Sequence, residues 1–149
     1  MDVYGKSGNY FRANLWSWRP INALIDHVND LYDLGIDTSG FPYNDGAGVD
    51  NQEKCNELAD KIEGLINNDN FKDHDIIYVN MGAWSNENGK TYYTGDIESL
   101  DEDYPIGSVL FNSVVIETGE MLIPTHATDK EHVHEFISFL RECNGFKIY

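Results

Sequence analysis

Five histidines stand in the 149-residue chain, and histidine is the side chain whose ordinary pKa suits proton transfer or metal ligation near neutral pH. His126, in Pro124-Thr125-His126, is expected in a loop after a strand, a place where a general base can be held. His132 and His134 lie two apart in an expected helix and so face different sides, whereas paired helical ligands need a spacing of three or four. His27 and His74 stand among aspartates. A solvated or capping role is favoured for each histidine, with His126 the strongest exception. No G-x-S-x-G, Walker loop, H-E-x-x-H or C-x-x-C occurs, so the expectation is no catalytic residue, no metal and no cofactor.

Three other stretches hold residues suited to binding. Tyr10-Phe11-Arg12 and Trp16-Ser17-Trp18-Arg19-Pro20 combine aromatic rings with cations in a chain short of positive charge. Tyr10, Arg12, Trp16, Trp18 and Arg19 are residue types that dominate interface energetics, and guanidinium groups stack on aromatic faces. The bland alternative, which is favoured, is an apolar staple onto the first helix, with the arginines paired to carboxylates. Asn44, Asp45 and Gly46 open a glycine-rich loop ending at Gly48, which could present backbone donors to an anion. No strand is expected before it, and a turn feeding the next helix is preferred. Asp96, Glu98, Asp101, Glu102 and Asp103 put five carboxylates in eight residues. Such runs are usually solvated, and the functional reading is a docking patch for a basic partner.

Charge sharpens that last reading. With 26 acids against 10 bases the formal net charge is -16, which repels nucleic acid and anionic lipid and favours a basic protein partner. Mimicry of DNA by the acids is a further possibility that sequence does not test. No apolar run approaches the ~20 residues that span a bilayer, and the N-terminus lacks the apolar core of a secretory signal. No membrane association and a cytoplasmic location are expected, with Cys55 and Cys143 a reduced, buried pair.

The elements that must position these residues follow from periodicity. Pro20 is read as opening a first helix with Ile21, Leu24, Ile25, Val28, Leu31 and Tyr32 on one face, closed by Gly35. Asp50 is expected to cap a second helix carrying Cys55, Leu58, Ala59, Ile62, Leu65 and Ile66. Strands are expected at 75–79, 90–94, 108–118 and 121–124, with a hairpin turn at Asn86–Gly89. Thr128 is expected to cap a third helix with Val133, Phe136, Ile137, Leu140 and Cys143 inward, and 146–149 to add a strand or a tail. The expected fold is a single α+β domain over 1–149: two N-terminal helices, a central antiparallel sheet of about four strands and a C-terminal helix.

Tyr10-Phe11-Arg12 with Trp16 to Pro20, Tyr43 to Gly48, and Phe139-Leu140-Arg141 with Asn144-Gly145-Phe146 together resemble a family of small proteins of bacteria and their phages that has no assigned activity. The resemblance implies a compact single domain and a phage or mobile-element setting. It carries over no residue roles. The function expected is a non-enzymatic acidic module that binds and modulates a basic, nucleic-acid-handling protein. The alternative is a small-ligand binder or enzyme using the Asn44–Gly48 loop with Arg12 and Arg19.

Overall fold

A computed structural model describes residues 1–69 and 71–149, and the side chain of Asp101 also lies outside the described set. The chain runs β1 (Asp2–Gly5), β2 (Tyr10–Arg12), α1 (Leu15–Tyr32), β3 (Gly48–Val49), α2 (Gln52–Ile66), β4 (Ile76–Ser85) and β5 (Thr91–Tyr93). A 3-10 turn (Thr94–Asp96) then leads to α3 (Glu98–Asp103), β6 (Val109–Leu110), β7 (Val114–Val115), β8 (Met121–Asp129), α4 (Lys130–Glu142) and β9 (Phe146–Ile148). The α+β class is as expected, but the strands form two antiparallel sheets, ordered β2-β1-β9-β3 and β5-β4-β8-β7, with β6 also paired to β4. Of the first sheet the sequence reading holds only β9, expected at 146–149 as a strand or a tail, because the sheet joins the two chain ends, with Val3 opposite Ile148. Such non-local pairing leaves no turn signal.

The helices carry the expected apolar stripes except at Leu31 and Tyr32, which are exposed in the last turn of α1, and their ends differ from those expected. Asn14, not Pro20, starts α1: its backbone is extended and its side chain accepts a hydrogen bond from the Ser17 N–H at 2.9 Å. Pro20 sits inside the helix and returns no N–H to the Trp16 carbonyl. Asp33 in the left-handed conformation, not Gly35, closes α1. Asn51 caps α2 in place of Asp50, accepting from Lys54 N–H at 2.9 Å. Asp129 caps α4 in place of Thr128, accepting from His132 N–H at 2.7 Å. Thr128 remains in β8 opposite Ile77.

The expected 108–118 strand divides into β6 and β7, which pair with different neighbours. Phe111 between them is buried and stacks on Phe71. The Asn86–Gly89 hairpin forms as expected, with the Asn86 carboxamide accepting from the N–H groups of Asn88 and Lys90.

The main core lies where α1, α2 and α4 meet the inner face of the first sheet, through Trp18, Leu24, Leu58, Ile62, Phe136, Leu140, Phe146 and Ile148. A smaller cluster of Trp84, Leu100 and Leu122 sits under the second sheet. Among the described residues, no helix is long and apolar enough to cross a membrane.

Candidate binding face

The first sheet buries one face and exposes the other, as alternation in each strand dictates. Val3, Phe11, Phe146 and Ile148 point into the main core. Their alternates point outward in two rows. In one row Tyr10 pairs with Tyr4, Tyr4 with Lys147, and Lys147 with Gly48. In the next, Arg12 pairs with Asp2, whose N–H and carbonyl exchange hydrogen bonds of 2.9 and 2.7 Å with Tyr149.

Three tyrosines thus stand side by side, each about half exposed: Tyr4 at 49%, Tyr10 at 51% and Tyr149 at 50%. The Tyr4 ring lies 5.3 Å from that of Tyr10 and 6.0 Å from that of Tyr149, centroid to centroid. Tilted contacts at these spacings are attractive and hold the rings upright. The Tyr10 hydroxyl donates to Asp2 at 2.5 Å, and that bond is the main cause holding the phenol above its ordinary pKa. Arg12 reaches the same carboxylate at 3.7 Å while its side chain stays 75% exposed. Lys147 is exposed and makes no ion pair with the described residues. The rings are rigid and the cations are available, so the face can stack on and hydrogen-bond a partner with little loss of side-chain freedom.

The Asn44–Gly48 loop borders this face and is committed to it. Gly46 donates its N–H to the Ile148 carbonyl at 2.8 Å and lies beneath the Tyr149 ring. At Gly48 a Cβ would stand 1.8 Å from the Phe146 carbonyl oxygen, so β3 can approach β9 only with glycine there. The Gly46 donor is therefore not free for an anion, while Asn44 and Asp45 are exposed. Arg12 and this loop occupy the two opposite edge strands of the sheet.

Trp16, Arg19 and His126 meet elsewhere. Trp16 is exposed on α1, and its ring lies 4.6 Å from that of His126 on β8. His126 is held below its ordinary pKa, first by burial and then by the Arg19 charge, and its Nδ1 is 3.3 Å from the Thr125 hydroxyl. Trp18 is fully buried and donates from Nε1 to the Phe41 carbonyl at 2.8 Å. It belongs to the core. A cleft of about 810 Å³ between the starts of α1 and α4 holds Arg12, Asn14 and Ser17 on one wall and Ala127, Asp129 and His132 on the other.

The acid run is ordered by its apolar anchors, Leu100 and the partly buried Ile97, which turn α3 onto the second core. Asp96 accepts from the Tyr93 N–H, and Asp103 is exposed. Asp96, Glu98 and Glu102 line a shallow cleft of about 510 Å³ with Tyr92, Ile97 and Glu117. The Asp101 side chain lies outside the described residues. Among the described residues, no group of three or more His, Cys, Asp or Glu side chains is placed to hold a metal ion.

Of the residues on this face the sequence singles out Tyr10 and Arg12; Tyr4, Lys147 and Tyr149 carry only the weaker signal of the in-out alternation of Asp2-Val3-Tyr4 and Phe146-Lys147-Ile148-Tyr149. No family model, curated protein or solved structure matches the chain.

Proposed function

We propose that this chain is a protein-binding module that docks through the tyrosine face of its first sheet onto a protein of net positive charge. The observation that carries the reading is the exposed row of Tyr4, Tyr10 and Tyr149 beside Arg12 and Lys147. A flat face of aromatics and cations suits a protein surface, whereas small ligands are held in concave, largely apolar sites. None of the three tyrosines lines either of the two clefts described above. The net charge of -16 supplies long-range steering toward a basic partner, and at contact the partner sets carboxylates against Arg12 and Lys147. A basic protein surface is what nucleic-acid-handling proteins present. Docking beside that surface, on the partner's carboxylates, and so modulating the partner is the mode of action we assign.

The test compares cross-linked capture by the native chain, a Tyr4→Ala/Tyr149→Ala variant and a control altered on the far side, Glu57→Gln. The expected result is one basic protein recovered by the native chain and the control and lost from the tyrosine variant. Two central aromatic anchors at ~2 kcal/mol each give a loss of roughly a thousandfold in affinity. Recovery should fall as salt rises. Equal recovery by the tyrosine variant, with its fold intact by circular dichroism, removes the face from the function; an acidic partner removes the charge argument.

A further inference from the structure

Cys55 lies in the second turn of α2, and Cys143 caps the C-terminal end of α4. Both residues are fully buried, and their sulfurs are 3.4 Å apart although 88 positions separate them in sequence. No atom can stand between sulfurs at that distance. A disulfide needs about 2.05 Å, so forming one draws together two sulfurs already 3.4 Å apart. The Cys143 sulfur also approaches the Leu140 carbonyl at 3.4 Å, which fixes its rotamer toward Cys55.

The two thiols are unlike. The side-chain hydrogen bond shared with Cys55 and then the Gly145 N–H outweigh burial and hold Cys143 below the ordinary thiol pKa. The same contact and burial push Cys55 up. The geometry and the two directions together make Cys143 the readier attacking thiol and Cys55 the resolving one.

We propose that Cys55 and Cys143 are an oxidation site for hydrogen peroxide, closing a reversible disulfide that staples α2 to the C-terminal turn. The Cys143 thiolate attacks one peroxide oxygen, the O–O bond breaks, and hydroxide leaves, giving a sulfenic acid. The Cys55 sulfur then attacks the Cys143 sulfur, the S–O bond breaks, and the departing hydroxide takes the Cys55 proton as water. The two protons of the original thiols end in two waters, and the two sulfurs supply the two electrons that reduce the peroxide. Full burial restricts the reaction to a water-sized oxidant that enters when the turn at Cys143–Gly145 opens. That turn leads directly into β9, whose Lys147 and the following Tyr149 lie on the tyrosine face. The bond therefore anchors the base of that strand.

The experiment treats the full reduced chain with hydrogen peroxide, alkylates remaining thiols, and maps peptides without reductant. The expected product has lost two hydrogen atoms, carries one Cys55–Cys143 linked peptide, and reverts with dithiothreitol. Its thermal midpoint rises by on the order of 10 °C, because the bond closes a long loop in the unfolded chain. Cys55→Ser is expected to stop at the Cys143 sulfenic acid, trapped by dimedone. Should that variant fail to fold, the native peptide map decides alone. Thiols still open to alkylation after peroxide, sulfinic acid without a link, or links only between chains would each overturn the proposal.

Discussion

Trp16 and Trp18 show how much two positions on a helix decide. Helical geometry turns them about 200° apart, so one indole fills the core and the other lies open against His126. Burial and the Arg19 charge both lower the proton affinity of His126. The folded chain therefore resists a proton that the unfolded chain accepts near pH 6.5. The sign follows: this contribution to stability is complete above about pH 6.5, is lost as pH falls from there toward the lower folded value, and changes no further below it. An imidazolium quenches an adjacent indole, so tryptophan fluorescence should fall on acidification with a midpoint below 6.5. Arg19→Gln should move that midpoint upward, and His126→Gln should abolish the step. A step that survives His126→Gln would mean that Trp16 reports some other group.

Among the elements, the helix starts carry the sharpest test. Asn51 accepts the Lys54 N–H with its side chain, whereas the adjacent Asp50 contributes its backbone carbonyl to Lys6 and no cap. Asn51→Ala is expected to cost about 1 kcal/mol in urea unfolding and Asp50→Ala to stay within about 0.5 kcal/mol. Asn14→Ala should likewise cost about 1 kcal/mol, since it frees the Ser17 N–H at the start of α1. Equal effects at 50 and 51 would reject the assigned cap. The same pair shows where sequence stops being legible. The apolar stripes of α1, α2 and α4 are written locally, every three or four residues, and the structure turns them inward except at Leu31 and Tyr32, which stay exposed in the last turn of α1. Which of two neighbouring capping residues is used depends on one backbone dihedral, and so Asp50 and Thr128 were each taken one residue early. Pro20 misled for a related reason, because its fixed φ is as compatible with a helix interior near the N-terminus as with a first position. The binding face was half legible. Tyr10 and Arg12 stand in an obvious aromatic-cationic stretch, while Tyr4, Lys147 and Tyr149 acquire meaning only when the two chain ends pair.

At the scale of the whole molecule, the two cores differ in what holds them. The cluster beneath the first sheet joins three helices, while the buried apolar cluster beneath the second holds, among the described residues, Trp84, Leu100 and Leu122. Local opening free energy falls with the apolar surface an element buries. The second lobe has, in addition, acids crowded on α3 and the preceding turn, which repel one another at low ionic strength. The peptide groups of β5, α3 and β7 should therefore exchange hydrogen well before those of α1, α2, α4 and β9. The gap should narrow when salt is raised from ~10 mM to ~150 mM, where the screening length drops below about 10 Å. Trp84 offers an independent reading, since its Nε1 donates to Thr94 at 3.3 Å inside this small cluster. Truncating Leu100 to Ala removes an anchor at a cost of roughly 2–5 kcal/mol. If the lobes open separately, that loss should expose Trp84 to acrylamide while leaving Trp18 and the tyrosine face in place. Simultaneous exposure of both tryptophans would show instead that the two sheets unfold as one cooperative unit, through the long β4–β8 pairing and the packing of α1 on β8.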